Sequence, residues 1–407
     1  MRWKKILAVA LGVVTSFAGF LEAGSIATSA EAGAGFGYQL IWPVVLGTVC
    51  VIFLIEMSGR LAALSRHPLP AAVRERFGVN FDVIPVGAET VVDFLVLAAE
   101  IAGAGIGLQF MTGISFRWWA LPVALLIWLL LWNGKFSLVE YGISLLGLVT
   151  LVFVVAAVKA KPDWVSVAKG LAPTLPSHEK PTYWFLVVSI LGATVSPYLF
   201  NFYSSGAVED EWDESDLWPN RITALLGMGF GGVISVAVLV AAGAVLQPRG
   251  IELDQYEQVA LLVTGPLGKW GYYLLGAALF IACVGAALEL SLDLAYVYAQ
   301  SLGWNWGQNE RPQDATRFSM VYTLLIAVAW IPAAAGMDPL KLTMYGMAFT
   351  ALVLPVVVLP FLVLMNDRHY VGEHRNGWIS NVVVFGVIVM AAIVAAVSLP
   401  LTIVGGK

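Results

Sequence analysis

The sequence predicts an all-α polytopic membrane protein, and three observations carry this prediction. Apolar residues make up 59% of the 407 residues and charged residues 12%, and the mean hydropathy is +0.83, which excludes a water-soluble globular protein. Apolar runs of roughly 20 residues recur along the chain, each long enough to cross a hydrocarbon core of about 30 Å. Because backbone groups in lipid must be satisfied within each segment, and because these runs are too uniformly apolar for barrel strands, the runs are predicted to be helices.

About eleven spans are predicted, and the first and sixth of them are interrupted. In chain order they are residues 6–33, 38–64, 86–112, 117–133, 137–158, 183–206, 221–246, 269–300, 317–336, 342–365 and 378–403. We expect a single transmembrane domain, 1–407, with a first repeat at 1–160, a second repeat at 183–365 and an additional C-terminal helix at 366–407.

Basic residues near the span ends indicate the orientation. The positive-inside rule favours a cytoplasmic N-terminus, on the strength of Arg2, Lys4, Lys5, Arg66, Arg74 and Arg76. We expect the protein to lie in a bacterial inner membrane. The basic start, the apolar stretch that follows and the small residues of 27–34 also fit a secretory signal peptide, although the apolar run continues past Ser25.

The first interruption is a short helix-breaking patch, Phe20–Ser25, that carries one carboxylate, Glu22, inside an apolar run. A broken helix with an acidic group at membrane depth costs free energy, so it indicates a binding site more readily than a packing feature.

The second interruption is Gly192–Tyr198, where Pro197 stands among small and polar residues in the sixth span. Proline removes a backbone donor and clashes with the preceding turn, so carbonyl groups near Ala193 are predicted to be available to a ligand. Two interrupted spans separated by four continuous ones are typical of an inverted five-helix repeat that holds its ligand near the bilayer midplane. Either break alone is also compatible with a kinked packing helix.

These segments resemble signatures of the natural-resistance-associated macrophage protein (NRAMP) metal transporters. Leu21–Gly33, followed by the run Phe36–Trp42, is similar to the first-helix signature of that family, and Leu191–Tyr198 is similar to its sixth-helix signature. Asn366–Arg368 and Gly372–Asn376 are similar to its connection between helices ten and eleven. The resemblance covers nearly the whole chain and implies an amino acid-polyamine-organocation (LeuT-like) fold, alternating access and a divalent metal ion as the transported substrate.

The metal-site residues of the family are replaced in this chain. The resemblance assigns the metal-binding Asp to Glu22, the Asn to Ser25 and the Met to Ser196. It places the two coordinating carbonyl groups on Gly19 and Ala193.

Ligand softness predicts the effect of these replacements. A thioether favours polarisable transition-metal ions, whereas a set made only of oxygen ligands favours Mg²⁺ or Ca²⁺. A serine in place of methionine also leaves room for an ion that keeps several waters. The leading prediction is therefore a hard, partly hydrated divalent cation, Mg²⁺ first, with Ca²⁺ or Mn²⁺ as alternatives.

Proton coupling is predicted to be lost. The resemblance places Tyr198 and Tyr203 where the family has histidines, and Leu97 where it has a third-helix aspartate. A tyrosine with a pKa near 10 does not relay protons as an imidazole does. Glu100 is the remaining acidic group of the third-helix pattern, with either an ion-path role or an interhelical hydrogen bond.

Further acidic residues lie within the predicted spans. Glu89 and Asp93 share a helix face and are compatible with interfacial solvation or with a cytoplasmic access route for the ion. Glu289 and Asp293 form a like-charge pair on another span, which is destabilising unless it is protonated or binds a cation. Glu56 near Arg60 is predicted to be a structural pair.

Two alternatives to a divalent-cation carrier remain open. Small residues at Gly19, Ser25 and Ser196 leave volume for an organic cation or an amino acid, whose ammonium group would pair with Glu22 and face the Tyr198 ring. The chain is also compatible with a homologue that does not transport. No nucleophile-base pair, phosphate loop or basic nucleic-acid patch is present, so we expect no enzyme, no cofactor and no nucleic-acid partner, only the bilayer and the cation around a possible monomer.

Overall fold

The computed structural model describes residues 22–133, 147–176 and 179–405, and the regular structure in these ranges is helical. The beginnings of the predicted spans 6–33 and 137–158 lie outside the described residues. Within these ranges, eight helical segments are long and apolar enough to cross a bilayer, and two shorter apolar helices accompany them. The chain is therefore an all-α integral membrane protein.

The helices are numbered here in chain order. Those of the first part are α1 (Ala23–Phe36), α2 (Ile41–Ser65), α3 (Leu69–Phe77), α4 (Val79–Thr112), α5 (Phe116–Trp132), α6 (Leu151–Lys159) and α7 (Trp164–Lys169). Those of the middle part are α8 (Lys180–Thr194), α9 (Pro197–Glu209), α10 (Leu217–Val245), α11 (Ala260–Leu267) and α12 (Trp270–Leu302). Those of the last part are α13 (Thr316–Ala329), α14 (Ile331–Ala334), α15 (Pro339–Asn366), α16 (Arg368–Val371) and α17 (Trp378–Gly405).

Most predicted span ends agree with these helices to within a few residues. The clearest difference is α4, which begins at Val79, seven residues before the predicted 86. Its first turns carry polar residues and extend beyond the apolar run, where hydropathy gives no helix signal. Similarly, α15 begins at Pro339 because the Asp338 side chain caps it, accepting a hydrogen bond from the backbone N–H of Leu340 at 2.9 Å.

The broken segment α8–α9 lies at the centre of the bundle and α17 lies at its edge. In their most apolar stretches, 94% of the residues of Lys180–Glu209 are buried, against 28% for Trp378–Val397. Helix α1 packs against α8, α10 and α15, and α4 and α12 form the most extensive helix pair. The break between α8 and α9 and the start of α1 are thereby surrounded by protein, which is the environment in which non-helical backbone is tolerated at membrane depth.

The predicted pair Glu56–Arg60 is confirmed, with a separation of 3.0 Å. The Arg60 guanidinium also donates to the backbone carbonyl of His374 and, at 2.7 Å, to the Asn376 side chain. Because these bonds join α2 to the connection before α17, the pair holds one end of the bundle together rather than marking an ion path.

Candidate functional site

The site is built on one interruption of helical backbone, between α8 and α9, and on the start of α1. Helix α8 ends at Thr194 and α9 begins at Pro197, with Ser196 between them in an extended conformation (φ −85°, ψ 134°). Glu22, directly before α1, is also extended (φ −126°, ψ 171°). The predicted break in the sixth span is therefore confirmed, and Glu22 enters α1 from non-helical backbone. At these helix ends some backbone N–H and C=O groups have no partner within the helix, so they are available to other groups.

Glu22 and Tyr198 meet across the gap between the two breaks. The Tyr198 hydroxyl donates to Glu22 Oε2 at 3.1 Å, and both side chains are buried. Among the described residues, Glu22 Oε1 has no hydrogen-bond partner. The carboxyl groups of Glu100 and Glu289 are near enough to interact electrostatically with this carboxylate. A buried carboxylate with an open coordination position among further carboxylates is a strong attractor for a cation.

The two serines and the Ala193 carbonyl lie at the same breaks. Ser25 Oγ is 3.5 Å from the backbone oxygen of Ala193, which joins the start of α1 to the end of α8. Ser196 Oγ donates to the Gly192 carbonyl at 3.0 Å and so bridges the break in its own segment. All of these groups are closed to solvent. The structure thus places Glu22, Ser25, Ala193, Ser196 and Tyr198 at facing helix ends.

Glu100 fixes the start of α1 from the neighbouring helix α4. Its two carboxylate oxygens both lie 3.1 Å from the backbone nitrogen of Ala23. The first N–H groups of a helix lack intrahelical partners and carry partial positive charge, so an acidic acceptor there is stabilising. Of the two roles considered for Glu100, the structure shows the interhelical hydrogen bond.

Replacing Glu100 with alanine is expected to destabilise the protein by about 1–3 kcal/mol, because a buried N–H at Ala23 loses its acceptor. Glu100→Gln is the matched control, since its amide oxygen still accepts a hydrogen bond, and it should recover part of the loss. The measurement is the thermal unfolding midpoint of the purified protein. Equal midpoints for wild type and Glu100→Ala would contradict the capping role.

Two predicted site residues are not brought to Glu22. The Tyr203 hydroxyl donates to the side-chain oxygen of Asn220 at 3.0 Å, and Asn220 in turn donates to the Glu56 carbonyl at 2.8 Å. Tyr203 therefore belongs to the contact of α9 with α10 and α2. Gly19, assigned as a carbonyl ligand, lies outside the described residues.

Three residues at the site were missed by the sequence analysis. The Tyr256 hydroxyl donates to the Ala23 carbonyl at 2.7 Å, and the Cys283 thiol lies near the Glu100 carboxylate. The thioether of Met347, on α15, packs against Gly24, where an added Cβ would lie 2.7 Å from Sδ. The sequence carried no signal for these contacts, because each one joins elements that are far apart in the chain.

A second group of carboxylates lies between α4 and α12. Asp93 and Asp293 are fully buried, and neither has a hydrogen-bond partner for its carboxylate oxygens among the described residues. Their charges act on each other, and the Asn201 side chain donates to Glu89 at 2.7 Å. Interfacial solvation of Glu89 and Asp93 was therefore a wrong interpretation, since burial excludes bulk water from both.

Glu89 and Asn201 also line a narrow cavity at one end of this group. Its volume is about 20 Å³, enough for about one water molecule. Asp82, Pro70 and Ser301 also line it. The Glu89 carboxylate thus lies in the wall of this cavity, and Asp93 is buried close to it.

The arrangement at Glu22 limits which metal ions suit it. Across the described ranges, no three His, Cys, Asp or Glu side chains converge to hold a metal ion by themselves. The described donor groups at the facing helix ends are the Glu22 carboxylate, the hydroxyl groups of Ser25, Ser196 and Tyr198, and the Ala193 carbonyl. The Met347 thioether packs beside them, against Gly24.

Comparison with known proteins identifies the family of the chain. The family model described as natural resistance-associated macrophage protein-like matches residues 12–401, which is almost the full length. The chain belongs to the NRAMP-like family. The matched residues include both helix breaks and the connection before α17.

Curated NRAMP-like relatives align over most of their length. The chain is 24% identical over 379 residues to a divalent metal cation transporter (MntH) of Aeromonas hydrophila, covering 88% of this chain and 87% of the relative. It is also 24% identical over 400 residues to the divalent metal cation transporter of Deinococcus radiodurans, with 91% and 86% covered.

Solved structures share the fold. A mutant of the Eremococcus coleocola manganese transporter matches with a TM-score of 0.80 at 19% identity, covering 97% of this chain and 87% of that one. Mhp1, a nucleobase-cation-symport-1 family transporter, matches with a TM-score of 0.63 at 12% identity, with 96% and 91% covered. The predicted inverted-repeat, LeuT-like fold is thereby confirmed.

Proposed function

We propose that this NRAMP-like protein is a secondary transporter that carries a divalent cation across the membrane by alternating access, and that its preferred ion is hard and partly hydrated, with Mg²⁺ first. The proposed ligands are the Glu22 carboxylate, the hydroxyl groups of Ser25 and Ser196 and the carbonyl groups of Ala193 and Gly19. The observation that carries the proposal is the buried Glu22 carboxylate, which has an open oxygen and lies among hydroxyl and carbonyl oxygen donors of α1, α8 and α9.

The divalent charge of the substrate is supported by the family and by the electrostatics of the site. Curated relatives are divalent metal cation transporters. Around Glu22, the neighbouring carboxylates Glu100 and Glu289 favour a cation over a neutral or anionic solute. The closed site requires one half of the bundle to move before an ion enters or leaves, and residues 1–160 and 183–365 are the two halves that we propose.

The preference for Mg²⁺ is supported by the absence of a soft ligand at the position of Ser196. Mg²⁺ sheds water reluctantly and binds through one or two carboxylates with several waters retained. The thioether that the structure does bring near the site, Met347, packs against the backbone of Gly24 and is fully buried. We assign it a packing role.

Direct binding tests the proposal. Calorimetric titration of the purified full-length protein with Mg²⁺, Ca²⁺, Mn²⁺ and a panel of primary amines is expected to show binding of Mg²⁺. Binding of Mn²⁺ with no response to Mg²⁺ would contradict the hard-ion preference. Binding of an amine with no response to any metal ion would instead favour a carrier of organic cations.

A thioether placed at Ser196 is expected to shift ion preference. In Ser196→Met, the ratio of Mn²⁺ to Mg²⁺ affinity should rise by about tenfold, since a soft ligand favours the transition-metal ion. Met347→Leu is the matched control and should leave the ratio unchanged, because Leu replaces Met at similar volume without a sulfur. A changed ratio in Met347→Leu would mean that this thioether, and not the residue at 196, sets the preference.

We further propose that transport is not coupled to protons. Tyr198 and Tyr203 occupy the positions of the family histidines, and Tyr198 is engaged with Glu22. The buried carboxylates of Glu89 and Asp93 would then serve as an access route for the cation. Ion uptake into proteoliposomes should be the same with and without a pH gradient, and acidification of the vesicle lumen during uptake would contradict the proposal.

Three further assignments concern the membrane location, the orientation and the oligomeric state. We infer a bacterial inner-membrane location, with the N-terminus in the cytoplasm, and a monomer as the transporting unit. Addition of a protease-resistant tag at each terminus and accessibility labelling in intact cells test the orientation.

A further inference from the structure

A groove lies between α15 and α17, at the end of the bundle where α15 finishes with Asn366. Its volume is about 800 Å³. Its end near the connection between the two helices is basic. Its other end runs along the helices and is apolar.

The basic end is lined by three arginines and one aspartate, Arg76, Arg368, Arg375 and Asp367. Arg76 is paired with Asp367 at 3.1 Å. The backbone N–H of His369 and the Arg76 guanidinium hold the pKa of Asp367 below its usual range, so this carboxylate stays ionised and balances one arginine. Two positive charges remain.

Neither of the two remaining arginines is strongly neutralised. Arg368 lies 3.5 Å from Glu373, but both side chains are largely exposed, at 66% and 82%, and such pairs contribute little. Arg375 makes no salt bridge within the described part of the chain. The basic end therefore offers two guanidinium groups to an anion.

The apolar end faces the surrounding bilayer. Its walls are aliphatic and aromatic side chains. Val363, Val382 and Phe385 are about half exposed, whereas Leu359 is partly buried and Leu362 is buried. From Asn366 to Leu359 the helix rises by about 10 Å, so these walls reach from the interface into the hydrocarbon region.

Trp378, the first residue of α17, indicates the depth of the groove in the bilayer. Its side chain is 74% exposed. Exposed tryptophans concentrate at the boundary between headgroups and hydrocarbon. The guanidinium groups of Arg368 and Arg375 thus stand at headgroup depth, with the apolar walls beneath them.

The groove is also preformed. Asn366 and Asn381 exchange two side-chain amide hydrogen bonds, of 3.0 and 2.8 Å, and so fix α15 against α17. Asn376 adds a third bond to Asn381 at 3.0 Å. A ligand that binds there does not have to order these walls first.

We propose that this groove binds an anionic phospholipid of the surrounding bilayer, with its phosphate between Arg368 and Arg375 and one acyl chain along the apolar walls of α15 and α17. Guanidinium groups bind phosphate through charge-assisted hydrogen bonds, and basic pockets between membrane helices bind anionic headgroups. The basic end alone would not select a lipid over a free anion. The apolar end alone would not select an anionic lipid over a neutral one.

Native mass spectrometry of the full-length protein in detergent tests the proposal. With dioleoylphosphatidylglycerol and dioleoylphosphatidylcholine added at equal concentration, retained phosphatidylglycerol should exceed phosphatidylcholine by about 30-fold, as expected for two arginines near the headgroup. The double variant Arg368→Gln/Arg375→Gln should lose this preference. Arg249→Gln/Arg311→Gln removes two exposed arginines outside the groove and should keep it.

A second variant and a soluble anion complete the test. Val382→Glu keeps every arginine but places a carboxylate in the groove, and it too should lose the preference. Equal retention of both lipids by the wild type, or unchanged preference in both groove variants, would overturn the proposal. The same conclusion would follow if millimolar inorganic phosphate displaced the bound phosphatidylglycerol, because the ligand would then be a free anion.

Discussion

Glu22→Gln is expected to abolish Mg²⁺ uptake into proteoliposomes and to weaken Mg²⁺ binding by about 100-fold or more, since removing one charge of a buried pair costs about 3–5 kcal/mol. The amide keeps the shape of the side chain and still accepts the hydrogen bond from Tyr198. What it removes is the negative charge that attracts the cation. Uptake of ²⁸Mg²⁺ and calorimetry on the same preparation measure the two effects.

The matched control is Glu31→Gln, the same substitution nine residues further on, about two and a half turns into α1. The acidic neighbours of Glu31 are Asp254 and Asp338 and do not include Glu22, so its replacement should leave uptake near the wild-type rate. Uptake by Glu22→Gln at the wild-type rate would place the cation site elsewhere in the bundle, and the carboxylates of Asp93 and Asp293 would be the next to test.

Gly192→Ala is expected to destabilise the protein by more than the ~1–3 kcal/mol typical of an overpacked core. A Cβ at Gly192 would collide with the backbone carbonyl oxygen of Met347 and lie 2.8 Å from its carbonyl carbon. It would also lie 3.2 Å from the backbone nitrogen of Ala351. Because these are backbone atoms, relief requires α15 to move away from α8, next to the break at Ser196. Both the yield of monodisperse protein and its thermal unfolding midpoint should fall.

Gly206→Ala is the control for this substitution. Gly206 lies in α9, and an added Cβ there would meet nothing within 4 Å. The change should be neutral or stabilising by up to about 1 kcal/mol, as for glycine to alanine in a helix interior. If both variants unfolded at the same temperature as the wild type, the close approach of α8 to α15 would not be a requirement of the fold.

The fold was predictable because its signals are local. Apolar runs of membrane length and the Pro197 break are properties of short stretches, and the medium forces each run to be a helix. The position of Glu22 at a break was readable for the same reason, since a carboxylate and a glycine in an apolar run conflict with a continuous buried helix. The family signatures then located the facing residues near Ser196.

The contacts that shape the site were not predictable in the same way. Glu100 was left between an ion-path role and a hydrogen bond, and only the packing of α4 against α1 decided that it caps Ala23. Tyr203 was grouped with Tyr198, five residues before it, yet the two side chains lie on different sides of α9 and reach different helices.

By itself, the sequence determined the membrane environment, the helical class, the approximate spans and the break at Ser196, because each depends on residues that are neighbours in the chain. The tertiary structure alone decided which polar groups meet at the breaks: Tyr198 on Glu22, Glu100 and Tyr256 on Ala23, and Met347 on Gly24. Each of these contacts joins helices far apart in sequence. Their geometry depends on how whole helices pack, and no local pattern of residues records that packing.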